Sequence, residues 1–295
     1  MYRIVYCFFY LLSLMPWFII HLISTCIYWV VYHCFGYRKE VVMGNLLIAF
    51  PEKTEKERVS IAKESYKQMI DTFLETIKLL SISKTALNKR FQCNYEVINT
   101  LYDSGRNVQL HGGHFFNWEF VNLAYSCNLR YPFMGMYLPL SNKIVDKIMY
   151  DMRARFGSIL ISAFNFNRTF LKHSKGRYVL TLGGDQNASN MHHAYWIPFF
   201  GKMAPFVTGP ERLATAKDTV VFFVNCYRVK RGYYKSELVE YTSEPTKLPP
   251  GAITIAFRDF LEKQIRLRPS NYLWTHRRWK HEYKPEEYKN MTLEG

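Results

Sequence analysis

The sequence predicts an α/β fold, with a central mixed, largely parallel sheet flanked by helices and an apolar helix ahead of it. Three observations lead there. First, strand-like runs at 108–110, 131–138, 157–161 and 177–182 alternate with helical periodicity around 118–125, 141–156 and 164–174. Strand–helix alternation of this kind is the pattern of a parallel sheet. Second, two of the strands end beside glycine pairs: Gly112-Gly113 leads to His114, and Gly183-Gly184 leads to Asp185. Sites in such sheets gather beyond the carboxyl ends of strands, so His114 and Asp185 are expected in one cleft. Third, no Asp, Glu, Lys or Arg occurs between Arg3 and Arg38.

The elements follow in order. Residues 1–37 form an apolar N-terminal segment long enough to cross or anchor in a membrane, since a spanning helix needs about 20 apolar residues. Pro16 either kinks it or splits it into an interfacial and a spanning piece. Arg38 and Lys39 follow the apolar run, and by the positive-inside tendency the rest of the chain faces the cytoplasm. Residues 38–284 form one globular domain, and 285–295 a polar, mobile tail. Thr54 and Glu57 have the spacing of a capping box opening a packing helix with a stripe from Ile61 to Leu80. Residues 84–100 read as a helix and linker. Ser141 or Asn142 caps the helix that ends near Arg153 and Arg155. Residues 187–206 read as a loop rich in Asn, Ser and His that turns aromatic. Thr219–Val229 and Tyr233–Tyr241, joined by Lys230-Arg231-Gly232, form an antiparallel pair, and Ala252–Arg266 is the last long helix.

Composition narrows the partners. Lys and Arg number 39 against 24 Asp and Glu, a formal charge of +15. Such a surface seeks anionic partners. No zinc-finger spacing or ribonucleoprotein motif accompanies the charge, so an anionic lipid surface and an acidic protein fit better than nucleic acid. The six cysteines show no C-x2-C pair, consistent with reduced thiols in the cytosol. His192 and His193 suggest no metal site with His111 and His114, because no acidic or Cys ligands stand at recognised spacing. No cofactor is expected.

His114 and Glu119 carry the chemistry. On a continuous helix a spacing of five puts two side chains roughly 140° apart, at about 100° per residue. With His114 in the loop and Glu119 in the first helical turn they can meet. A carboxylate then holds one imidazole nitrogen and leaves the other as a general base. A helix N-terminus beside His114 disfavours its protonated form. Phe115, Phe116 and Trp118 either line a groove for an apolar chain or belong to the core. Arg153 and Arg155 either complement a helix dipole or contact an anionic group. Asp185 supports the site or caps a loop. Thr208 with Gly209 either caps a helix or offers amides to an anion. There is no G-x-S-x-G elbow, which argues against a serine hydrolase.

The His114-x4-Glu119 spacing resembles the H-x4-D/E motif of the glycerolipid acyltransferase superfamily. More closely, the chain resembles the lipid A late acyltransferases, the lauroyl and myristoyl transferases of Gram-negative bacteria. Further segments carry the resemblance in order. They are Asn45-Leu46 with Ala49-Phe50-Pro51, Arg153-Ala154-Arg155, Asp185-Gln186, Pro198 to Gly201, Thr208-Gly209 with Leu213-Ala214, and Trp274-x-His276 with Arg278 and Lys280. The resemblance implies a membrane-bound O-acyltransferase at the bacterial inner membrane. Its expected donor is acyl carrier protein or another acyl thioester, and its expected acceptor a hydroxyl of a lipid A precursor. It further implies substrate contacts at Arg153, Arg155, Asp185, Gln186, Thr208 and Gly209. The loop after Gln186 is the least similar part, which leaves a phospholipid, aminolipid or other glycolipid acceptor open. The rival readings are an esterase and a non-catalytic basic protein that binds membrane surfaces.

Overall fold

The computed structural model describes residues 1–188 and 190–293; the last two residues of the expected polar tail, and Ser189 in the Asn-rich loop, lie outside the described residues. The strands are β1 (Phe91–Cys93), β2 (Val108–Gly112), β3 (Phe133–Tyr137), β4 (Ile159–Ser162), β5 (Val179–Gly183), β6 (Ala194–Phe199), β7 (Lys202–Val207), β8 (Val220–Lys230) and β9 (Tyr233–Thr242). Among the described residues the main sheet has seven strands in the order β1-β9-β8-β2-β5-β3-β4. Every pairing in it is parallel except the β8–β9 hairpin. The mixed, largely parallel sheet expected from the sequence is therefore the one that forms.

The helices are α1 (Tyr2–Leu14), α2 (Trp17–Trp29), α3 (Lys39–Ala49), α4 (Glu55–Lys78), α5 (Lys84–Arg90), α6 (Glu96–Asn99), α7 (Trp118–Asn128), α8 (Lys143–Ala154), α9 (Phe166–His173), α10 (Gly209–Lys217), α11 (Ala252–Leu267) and α12 (Pro285–Tyr288). Their starts follow from local chemistry. Thr54 and Glu57 close a full capping box at α4. The Asn117 side chain accepts from the Glu119 amide at the start of α7, and Asn142 accepts from Ile144 and Val145 at α8. The core lies between sheet and helices and is strongly aromatic, with Phe91, Phe116, Phe120, Tyr125, Trp196 and Trp274 all at most 2% exposed.

Two local readings differ from the structure. Residues 194–207, read as loop, pair as the β6–β7 hairpin. Pro198 and Pro205 mask it in the sequence, yet a two-stranded ribbon tolerates proline at its edges. The tail is also held in place as far as it is described. The Tyr288 ring stacks on Trp196 at 4.9 Å, and the Leu293 amide donates to the Trp196 carbonyl at 3.0 Å.

Pro16 separates α1 from α2, because its ring cannot continue the helical ladder. The helical stretch Trp17–Phe35, with a π-helical end from Val30, is long and apolar enough to cross a membrane. It does not stand free of the domain. Ser24 donates to Asp71 of α4 at 2.5 Å, and His21 lies 3.0 Å from Glu75. Lys78 donates to the carbonyls of Ser13 and Met15, satisfying the carbonyl end of α1. Asp71 and Glu75, both at most 1% exposed, hold the other side too: Arg228 and Arg231 bind Asp71, and Tyr234 binds Glu75 at 2.7 Å. The opposite face of the N-terminal helices leaves Ile4, Phe8, Leu11, Phe18, Leu22 and Trp29 exposed.

Removing one partner from a buried ionic network leaves the others uncompensated, which typically costs about 3–5 kcal/mol. Asp71→Ala should lose stability on that scale in chemical denaturation. It should also expose the Pro16 junction to proteolysis before the sheet domain unfolds.

Candidate active site

The register of two parallel strands builds the site. Gly112 of β2 sits opposite Gly183 of β5. His114 and Asp185 each follow two residues later, so both leave the sheet at the same level and meet. The Asp185 Oδ1 lies 2.6 Å from His114 Nδ1, and Oδ2 accepts from the His114 backbone amide at 2.8 Å. Asp185 is fully buried, whereas the His114 side chain is 31% exposed. Glycine is needed underneath: a Cβ on Gly183 would stand 3.1 Å from His114 Cε1.

This arrangement corrects the expected pairing. The carboxylate bound to His114 is Asp185, not Glu119. Glu119 does stand in the first turn of α7, where the spacing placed it. Its oxygens, however, take a two-pronged bond from Arg153, 2.5 Å from Nη2 and 2.9 Å from Nε, plus the Trp118 indole N–H at 3.1 Å. A guanidinium fork matches a carboxylate better than one imidazole nitrogen does.

Charge follows geometry. Burial pushes the Asp185 carboxyl upward, but the adjacent His114 and its hydrogen bonds, helped by Arg278, outweigh it and hold the carboxyl down at about 2. For His114, burial pulls the imidazole down, while the Asp185 charge and hydrogen bond raise it above its ordinary value. The net effect is opposite to the expected helix-terminus effect, because a touching carboxylate outweighs a partial helix charge. An ionised Asp185 accepts only, so Nδ1 carries the hydrogen and Nε2 keeps its lone pair. Among the described residues Nε2 has no hydrogen-bond partner.

His114 opens on a cleft of about 330 Å³, within the roughly 300–1,000 Å³ of ligand pockets. Its walls include Phe115, Trp118, Val121, Phe133, Leu160 and Val224, with the Glu119–Arg153 pair to one side. Larger hollows exist, such as the one between Pro198 and Leu267, but that one has no histidine in its lining and is more open to solvent.

The other expected site residues are placed as follows. Phe115 and Trp118 line the cleft, whereas Phe116 is 1% exposed and packs in the core. Arg155 does not reach the cleft: it donates to the carbonyls of Leu79 and Ile82, satisfying the end of α4. Gln186 lies outside the lining. Thr208 and Gly209 open α10 away from the cleft, and the Thr208 hydroxyl donates to the His193 carbonyl at 3.2 Å instead of capping the helix. No metal cluster is found among the described residues.

The sequence reading left the scaffold of the His114 loop unassigned. The Leu273 amide donates to the His114 carbonyl at 3.2 Å. Asn45 donates to the carbonyls of Trp274 and His276 at 2.8 and 2.7 Å. Asn187 accepts from Arg278 and donates to the Arg277 carbonyl. The Asn45 and Trp274–Arg278 segments are thus one assembly, which clamps the loop. The one signal in the sequence for the His114–Asp185 contact is the equal offset of the two residues from their glycine pairs.

The raised His114 pKa has a defined sign. The charged pair stabilises the fold fully below the unfolded value, about 6.5, and that contribution fades as pH rises through the folded value. Followed by NMR, the His114 imidazole should titrate above 6.5. In Asp185→Asn its midpoint should fall below that, where burial alone leaves it.

The family of bacterial lipid A biosynthesis acyltransferases matches residues 2–281. The lipid A biosynthesis palmitoleoyltransferase of Escherichia coli K12 is 23% identical over 253 residues, covering 82% of this chain and 79% of that protein. The lipid A biosynthesis lauroyltransferase of the same organism is 24% identical over 248 residues, with the same coverage. A lipid A biosynthesis acyltransferase of Haemophilus influenzae is 23% identical over 234 residues, 78% of this chain and 72% of its own. With the match running through the N-terminal helices, the sheet and the clamp, the chain belongs to the bacterial lipid A biosynthesis acyltransferase family.

Proposed function

We propose that the chain transfers a fatty acyl group from an acyl thioester, carried by acyl carrier protein, to a hydroxyl of a lipid A precursor. The observation that carries this is the His114–Asp185 contact of 2.6 Å, with Nε2 unpartnered at an apolar cleft. Nε2 takes the proton of the acceptor hydroxyl as its oxygen attacks the thioester carbonyl. The tetrahedral intermediate collapses, the carbon–sulfur bond breaks, and the imidazolium returns its proton to the departing thiolate. Asp185 fixes the tautomer and stabilises the imidazolium, as the acid of a Ser-His-Asp triad does. No acyl-enzyme forms, because the acceptor itself is the nucleophile.

Glu119 and Arg153 neutralise each other in the wall of the cleft. Their role is to position that wall, and Arg153 is the one Lys or Arg among the described residues that lines the cleft. The apolar walls at Phe115, Trp118, Phe133 and Leu160 suit the acyl chain.

The exposed apolar face of α1 and α2 supports attachment to the inner membrane, and the basic remainder supports a cytoplasmic position beside anionic headgroups. Ser24 and His21 bind α4 from the middle of α2. This favours helices that lie in one leaflet against the domain over a helix that leaves it to cross the bilayer.

His114→Ala should lower kcat by about 10²–10⁴, the usual worth of a general base, while the protein still floats with vesicles. Loss of flotation with unchanged acylation would contradict the assignment. Asp185→Asn and Glu119→Gln separate the two carboxylates. In the parent, kcat/KM rises with pH through a midpoint above 6.5. Asp185→Asn should move that limb to lower pH, whereas Glu119→Gln should lower the rate without moving it. Mass spectrometry of lipids from cells lacking the protein should show a lipid A short of one acyl chain.

A further inference from the structure

A second cleft lies on the other side of the clamp. Arg38, Arg277 and Lys280 line it with His276 and Asn187, and no acidic residue does. Arg38 and Arg277 also line the adjoining groove, where Glu40 is the one acid. Arg153 is matched by Glu119, and Arg228 and Arg231 by Asp71. Here three exposed cations converge without a carboxylate among the described residues. The His276 Nε2 is buried and has no partner among the described residues.

The backbone is positioned before any ligand arrives. Asn45 and Asn187 bind carbonyls of this segment, and Arg38 donates to the Thr275 carbonyl at 3.0 Å. The cleft is also close to the reacting groups along the chain. Asn187 is two residues beyond Asp185, and Leu273, at the start of the segment, binds the His114 carbonyl. On its other side, Arg38 follows the end of the apolar helix Trp17–Phe35 by three residues. A cation there sits where headgroup phosphates of a leaflet lie.

We infer that Arg38, Arg277 and Lys280, with His276, form an anion subsite that grips a phosphate of the acceptor lipid while its hydroxyl faces His114. This rests on the acyl-transfer reading above and adds to it which face of the site reads the acceptor. A phosphodiester on the arm of a carrier-bound donor offers the same chemistry. The continuity with the apolar helix assigns the cleft to the lipid, and the kinetics separate the two sources.

The test is Arg277→Ala with Lys280→Ala in the full chain, against a phosphorylated glycolipid acceptor and its phosphatase-treated counterpart. Hydrogen bonds to charged groups contribute about 1.5–3 kcal/mol each, so the acceptor KM should rise at least tenfold. The donor KM should not change, and the preference for the phosphorylated acceptor should vanish. Raising ionic strength should weaken the parent in the same direction. A parent indifferent to the phosphate, or a loss falling on the donor KM, overturns the assignment. Line broadening of the acceptor's ³¹P signal in mixed micelles, without donor, reads the subsite apart from catalysis. The parent should broaden it, the double variant should not, and Arg277→Lys should restore most of it. Equal broadening by parent and double variant refutes the subsite. An inactive parent that still broadens the signal refutes the acyl-transfer reading and leaves the subsite standing.

Discussion

The molecule depends on the register between β2 and β5. Parallel pairing sets Gly112 opposite Gly183 and so delivers His114 and Asp185 to one point, at the same height above the sheet. A slip of one residue would turn each strand's buried side chains to the other face and separate the pair. Burial of Asp185 makes the pair consequential. A carboxylate sealed from water interacts strongly with the one cation-forming group it touches, and its second oxygen fixes the loop through the His114 amide.

The rest of the chain keeps that point fixed. The Trp274–Arg278 segment is irregular, so its carbonyls have no ladder to satisfy them. Asn45, Asn187 and Arg38 supply the donors, each from a distant part of the chain. Arg278 is 1% exposed beneath this segment, with its guanidinium over the Phe206 ring at 4.4 Å. Its charge also helps to keep Asp185 ionised. The clamp therefore joins the segment after the N-terminal helices to the loop that carries the imidazole.

The N-terminal helices divide apolar from polar between two faces. One face is greasy and exposed, while the other is tied by Ser24, His21 and Lys78 into buried ionic groups of α4. Polar contacts of this kind require fixed partners to offset desolvation. They set the distance between the exposed apolar surface and the sheet.

Much of this was legible in the sequence. The α/β alternation, the two glycine-paired strand ends, the capping box of Thr54 and Glu57 and the apolar N-terminus are all short-range patterns, written by periodicity and turn chemistry. The nearness of His114 and Asp185 followed from a rule about strand ends, although Asp185 lies buried behind His114 and does not line the cleft. What the sequence could not decide was the choice among partners. Five residues along the chain, Glu119 was the nearest acid to His114, yet a partner 71 residues away won. Likewise Arg155, Thr208 and Gly209 had suggestive neighbours in sequence but open away from the cleft. Local spacing fixes which residues leave the sheet together. Strand register and competition among buried charges, where the guanidinium fork of Arg153 outbid an imidazole for Glu119, exist only once the sheet is assembled.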